Sequence, residues 1–250
     1  MNTKSSWEGS HQWYDRAVGD KGHYYHQKII LPGVLRLLHL TSESTLLDLA
    51  CGQGILARHI PEEVSYTGID ISPSLIRAAT GYKHPKHHRF IIGDVTQKLP
   101  LQEKFSHASL ILALQNIEKP LSLFKNVAKH LEAKGLFVIV LNHPYFRIPR
   151  QTSWQVDVLK KIQYRRVDRY LSPLKIPIQT HPGQKINSEE TLSFHYPLSD
   201  YSRWLKEAGF VITEIQEWCS DKTSVGGAAA MENRSRQEFP LFMTLVSQLS

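Results

Sequence analysis

Cysteine is scarce: Cys51 and Cys219 are the only two in 250 residues, and neither stands in a C-x-x-C spacing. That excludes a disulfide framework and points to free thiols in a reducing compartment. Long apolar runs are missing as well. No stretch approaches the roughly 18 residues that span a bilayer, and the opening MNTKSSWEGSHQWYDR has no apolar signal core, so a cytoplasmic protein is expected. Acids are outnumbered by bases, 23 to 30, for a formal charge of +7. The excess is local: residues 143–197 hold nine Lys or Arg against four acids, a net +5, which points to a partner for that segment rather than to a basic protein overall. No internal repeat is evident, which excludes a solenoid.

Against these absences stands an alternation of short apolar runs with helical patterns. TLLDLA (45–50), YTGIDI (66–71), RFIIGD (89–94), SLILAL (109–114) and LFVIVL (136–141) read as strands, with helices expected from Gly54 to about Ile60, Ser74 to Thr80 and Leu121 to about Leu131. Nearly continuous apolar strands predict a parallel sheet covered on both faces, an α/β fold. The alternation stops after Asn142 for about 55 residues, too long for an idle loop. There SWQVDVLKKIQYRRVDRYL (153–171) reads as helical. It resumes with a helix at 199–209 and strands at 210–218 and 240–248, joined by a polar connection expected to hold no helix. Four segments follow: N-terminal lid helices (1–40), a core (41–142), an inserted basic cap (143–197) and a C-terminal completion of the sheet (198–250).

The chemistry concentrates at "LLDLACGQGILARHI", a strand, a glycine turn and an expected helix whose N-terminus faces the crevice. Gly52, Gly54 and Ala57 satisfy G-x-G-x-x-A, and Asp70 follows Gly52 by 18 residues, where a carboxylate can take two ribose hydroxyls. A nicotinamide dinucleotide fits that bare pattern. Asp48 argues against it, because a carboxylate at the strand tip repels a pyrophosphate. The same acid favours a ligand carrying an ammonium and a sulfonium. With Asp94 placed to accept from an adenine amino group, the set suits S-adenosylmethionine.

Four blocks, D-L-A-C-G-Q-G (48–54), G-I-D-I-S (68–72), G-D-V (93–95) and L-A-L-Q-N-I-E-K-P (112–120), resemble the class I S-adenosylmethionine-dependent methyltransferases. In flavour the chain is similar to the small-molecule branch that includes ubiquinone and menaquinone biosynthesis enzymes, although Gln115 stands where that branch often carries histidine. The resemblance implies a Rossmann-like, seven-stranded, mostly parallel sheet in order 3-2-1-4-5-7-6 with the last strand antiparallel. It implies cofactor contacts from Asp48, Ala50, Gly52, Gly54, Asp70, Ile71, Asp94, Val95 and Leu112, with Tyr25 reaching over from the lid.

For the acceptor, Gln115 and Asn116 after the fourth strand and His143, Tyr145, Arg147 and Arg150 after the fifth are the substrate candidates. The arginines suit a carboxylate or phosphate, so a small anionic acceptor is expected. His26, His143 and His195 are the candidate bases, with His181 a weaker one. No metal is expected at the H-x-x-H cluster of His84, His87 and His88, which lacks nearby acid or cysteine partners. Asn142-His143-Pro144-Tyr145 looks like the N-P-P-Y box of base-amino methyltransferases but follows the fifth strand instead of the fourth. It is therefore expected to enter the cap rather than grip an amine. An RNA or protein methyltransferase using the basic cap, and a non-catalytic cofactor-binding regulator, are the alternatives.

Overall fold

The computed structural model describes residues 22–179 and 190–250, together with Glu8 and Gly19 of the N-terminal stretch. Trp7, Trp13, Tyr14 and His181 lie outside the described residues. Strands β1 (Thr45–Leu49), β2 (Ser65–Asp70), β3 (His88–Ile92), β4 (Phe105–Ile111) and β5 (Leu131–Asn142) are joined to β10 (Phe210–Trp218) and β11 (Phe242–Leu249). These seven form one sheet in spatial order β10-β11-β5-β4-β1-β2-β3. β11 runs antiparallel to both its neighbours, and the other pairings among β1 to β5 are parallel. The order 3-2-1-4-5-7-6 implied by the resemblance is the order found.

Strand alternation explains why both faces are buried. Leu47, Leu49, Phe137, Ile139 and Leu141 point into one apolar layer, with Phe124 of α3 (Pro120–His130) and Leu205 of α4 (Leu198–Glu207). Leu46, Val138 and Val140 point into the other, under Val34 and Leu38 of α1 (Leu31–Leu38). A run such as FVIVL, apolar at every position, satisfies both layers at once. Pro32 does not interrupt the first helix. A π-helical turn (His26–Ile30) leads into α1, where Pro32 occupies a first-turn position whose N–H needs no helical partner. α2 (Pro73–Thr80) starts in the same way, its N-cap Ser72 accepting from the Leu75 N–H.

Three expected elements differ. The segment 153–171 is not a helix but a β-hairpin, β6 (Thr152–Asp157) with β7 (Ile162–Val167). Trp154, Val156, Ile162, Tyr164 and Val167 are aromatic or β-branched, and Asp157 Oδ1 accepts the Lys160 N–H to build the turn, local chemistry that outweighs the helical spacing. A second hairpin, β8 (Leu174–Gln179) with β9 (Glu190–His195), follows it. After the glycine loop only one 3-10 turn (Leu56–Arg58) forms, because Pro61 lies too close for a full helix and Arg58 bonds back to the Gln53 carbonyl. There is accordingly no long helix dipole aimed at the crevice. The connection between the last two strands holds α5 (Ala229–Glu238), supported by a Glu232–Arg236 pair at i,i+4. The strands it joins remain antiparallel.

Candidate active site

The tips of β1, β2, β3 and β4 open into a cavity of about 650 Å³. That size falls within the roughly 300–1,000 Å³ of small-molecule sites. Its position beside β1 and β4 is the topological switch point of the sheet.

Two non-glycine residues in left-handed backbone conformation mark the rim, Ala50 (φ 51) after β1 and Leu112 (φ 53) after β4, and both line the cavity. Strain of this kind persists where surrounding structure holds it. Gly52 and Gly54 also have positive φ. At Gly54 a side chain is doubly barred, since an added Cβ would stand 2.8 Å from the Phe90 ring.

Asp70 is buried at the end of β2 and lines the cavity. Its Oδ2 accepts the Gly52 N–H and its Oδ1 the Ser72 N–H, both at 2.9 Å. Each oxygen keeps a second lone pair, so the carboxylate ties the glycine loop to β2 and still accepts from a ligand hydroxyl. Burial raises its pKa, opposed by these N–H bonds. Asp94 offers a different geometry: Oδ1 takes the Thr96 N–H and hydroxyl, and Oδ2 has no protein hydrogen bond among the described residues. Ile71 and Val95 complete this wall.

Asp48 does not line the cavity. It is buried one layer below, with Oδ2 held by the Tyr66 hydroxyl and Oδ1 by Ser109, both at 2.7 Å. Burial pushes its pKa up to about 6 against those two hydrogen bonds. Any attraction for a ligand cation therefore acts through the strand tip and not by contact.

Tyr25 also lies away from the cavity lining. Its hydroxyl bonds Ser220 at 3.1 Å, its ring packs edge-on to Phe242, and Lys222 sits over the rings of Tyr24 and Tyr25. The residues here that do line the cavity are His23, just before the helix, and His26 in its first turn. The N-terminal stretch is nonetheless tied to the site: Glu8 accepts from the Ser74 hydroxyl at 2.6 Å and from Ser72, and the Gly19 carbonyl accepts from Gln53 Nε2 at 2.9 Å.

The three candidate bases separate. His143 Nδ1 accepts the N–H groups of Tyr145 and Phe146, so Nε2 carries the proton and donates to Glu217 at 2.7 Å. Both nitrogens are occupied, and the residue lines only a small neighbouring chamber of about 30 Å³. His195 donates from Nε2 to the Tyr170 carbonyl and lines the same chamber. His26 alone of the three lines the main cavity; its Nδ1 is buried without a partner among the described residues, and burial lowers its pKa to about 4. It is a neutral imidazole at physiological pH.

On the acceptor side Gln115 and Asn116 line the cavity, Gln115 Nε2 donating to the Leu112 carbonyl at 2.6 Å. Tyr145 and Arg150 do not: Tyr145 packs against Phe146 and Tyr170, and Arg150 is exposed in a turn with φ 61. Arg147 lines the small chamber and reaches the main cavity only through Asn142, whose Oδ1 it holds at 2.8 Å. Asn142 itself lines the main cavity, so the asparagine of the N-H-P-Y box faces ligand space after all, from the fifth strand. His23, Glu118, Lys119, Ile178 and Ser193 line it as well and were not singled out from the sequence. Lys119 had a signal, preceding Pro120 at the start of α3 beside the fourth-strand block. Ile178 and Ser193 come from β8 and β9, whose pairing no local pattern announced. The histidine cluster is structural: His84, His87 and His88 each bond a different backbone carbonyl, of Ala79, Glu62 and Val64.

Comparison with known proteins agrees with this geometry. A protein of Schizosaccharomyces pombe described as "Uncharacterized methyltransferase C70.08c" is 28% identical over 111 residues, 42% of this chain and 42% of that protein's length. The fold is shared with a solved S-adenosylmethionine-dependent methyltransferase from Mesorhizobium loti (TM-score 0.66, 24% identity, covering 87% of this chain and 99% of that one). It is shared also with a putative one from Listeria monocytogenes (TM-score 0.64, 22% identity, 88% and 99%). Residues 22–215 match the family described as "Methyltransferase domain". With most of its length inside that match, the chain belongs to the methyltransferase domain family and is an S-adenosylmethionine-dependent methyltransferase.

Proposed function

We propose that the enzyme methylates a small anionic molecule held between the strand tips and the second hairpin. The observation that carries this is Arg147. Its guanidinium is partly buried, enough to lower its pKa, and is met by the Asn142 amide oxygen and the Phe242 ring, yet no carboxylate of the described residues lies within ion-pair distance. A partly buried cation without a counter-charge is costly, and it is stabilised if an acceptor carboxylate or phosphate enters beside Asn142. The planar fork suits such a group, and Lys119 adds a second cation on the cavity wall. Pro149, Ile178 and Ser193 border the cavity from the inserted segment, an enclosure that favours a small molecule over a folded nucleic acid.

When bound, S-adenosylmethionine would supply a methyl carbon on a sulfonium, to which the acceptor's lone pair bonds in line as the C–S bond breaks and its electron pair leaves with the sulfur of S-adenosylhomocysteine. The residues would divide the work as follows. Asp70 accepts the ribose hydroxyls, Asp94 Oδ2 takes the adenine amino group, and Ala50 and Gly52 bring backbone close to the methionine portion, while Gly54, which does not line the cavity, shapes the loop behind them. Gln115, Asn116 and Asn142 orient the acceptor, since holding a nucleophile about 3–3.5 Å from the methyl is the main catalytic contribution. Neutral His26 is placed to take a proton if the acceptor must lose one.

The test uses isotope-labelled cofactor with panels of small carboxylates, small phosphates and transfer RNA. Transfer to a small anion is expected, with Arg147→Gln raising the acceptor KM at least tenfold while cofactor affinity and Tm hold. A fall in Tm with the acceptor KM unchanged would make Arg147 structural, and labelling of the RNA alone would overturn the proposal.

A further inference from the structure

The described residues expose thirteen large apolar side chains, and seven of them fall between Tyr145 and Leu171. They centre on the β6–β7 hairpin. Val158 and Leu159 at its tip are 79% and 96% exposed, with Val156 and Trp154 behind them on one face and Tyr164 on the other. Neither catalysis nor folding explains that placement. The hairpin is already fastened along its length, through Trp154 stacked edge-on to Phe239 and Ser235 of α5 donating to the carbonyl of Gln163, which pairs with Val156. A two-stranded ribbon needs such support to be stable alone; its tip does not need leucine.

The apolar tip is joined directly to cations. Lys160 and Lys161 follow Leu159 in the turn, and Arg165, Arg166 and Arg169 lie along the returning strand and just beyond, five cations against Asp157 and Asp168. Both acids are engaged, Asp157 near Lys160 and Asp168 near Arg166. Lys161 and Arg169 have no ion pair among the described residues. An exposed apolar tip, aromatic rings set back from it and a collar of cations make the pattern that enters the interface of an anionic bilayer. Apolar side chains reach the acyl boundary, Trp and Tyr rest at headgroup level, and lysines meet anionic lipid. A protein groove would be served by the apolar residues without the surplus charge, and a nucleic acid by the charge without the valine and leucine.

We propose that the β6–β7 hairpin docks the enzyme on an anionic lipid surface. The chain reaches the hairpin from the Pro149 wall of the catalytic cavity, so docking would hold the cavity beside the bilayer. This does not depend on the acceptor's identity.

Flotation of the full chain with vesicles tests it, using phosphatidylcholine alone and phosphatidylcholine with phosphatidylglycerol. Binding to the anionic vesicles is expected, weakened at least tenfold by raising salt, by Lys160→Gln with Lys161→Gln, and by Val158→Ser with Leu159→Ser, with Tm unchanged in both variants. The two pairs separate charge from insertion: a Leu159→Trp protein should shift its emission to the blue only with anionic vesicles. Absence of wild-type binding to anionic vesicles, or undiminished binding by the Val158/Leu159 variant, overturns the proposal. So does an apolar-tip variant whose only change is loss of self-association.

Discussion

Asp48 shows how a residue can be legible in position and not in contact. Its place before the glycine loop is plain in the sequence, but the two hydroxyls that hold it come from β2 and β4, brought alongside only by sheet register. Its raised pKa has a consequence with a definite sign. A carboxyl raised from its ordinary range to about 6 contributes stability that is present at low pH and lost as pH rises through about 6. Asp48→Asn removes the charge while its amide can still bond both hydroxyls. Relative to wild type, its Tm should therefore rise between pH 5 and pH 8. The difference must be read against wild type, because His26, lowered to about 4, loses stability in the opposite sense as pH falls from its ordinary 6.5 toward 4. If Asp48→Asn instead lowers Tm equally at both pH values, the carboxylate's hydrogen bonds outweigh its burial. The histidines teach a related lesson: three candidates look alike in sequence, and only hydrogen-bond partners across the fold leave His26 facing the cavity.

At the scale of elements, strands buried on both faces announced themselves through unbroken apolar runs such as Leu136–Leu141, whereas the inserted hairpins did not. Trp154, Val158 and Ile162 recur four apart, a helical spacing, and the Asp157–Lys160 turn that decides against it depends on the Asp157 carboxylate meeting the Lys160 N–H. The N-terminal helix was legible as a helix, but which of its residues faced the ligand was not. Tyr24 and Tyr25 turn to Asp221, Ser220 and Lys222, leaving His23 and His26 to the cavity. Because Glu8 and Gly19 already touch Ser74 and Gln53, cofactor binding should tighten this element further. Amide exchange from residue 23 through α1 is expected to slow when S-adenosylhomocysteine is added. Equal exchange with and without ligand would reduce the contact to packing.

For the whole molecule, where a ligand sits follows from the order of the strands, which reverses at the β1–β4 junction and opens the cavity over the tips on either side of it. The four sequence blocks converge there because each ends a strand or begins the turn after it, and that much was visible in their spacing. The acceptor half was less visible, since Asn142, Ile178 and Ser193 meet across long separations. The central claim is that S-adenosylmethionine binds in this cavity through Asp70. Calorimetric titration of wild type, Asp70→Ala and Asp70→Asn with S-adenosylhomocysteine measures it directly. Loss of a charged hydrogen-bond acceptor costs about 1.5–3 kcal/mol. Both variants should therefore bind roughly ten- to a hundredfold more weakly with the fold intact, and unchanged affinity in both would contradict the account.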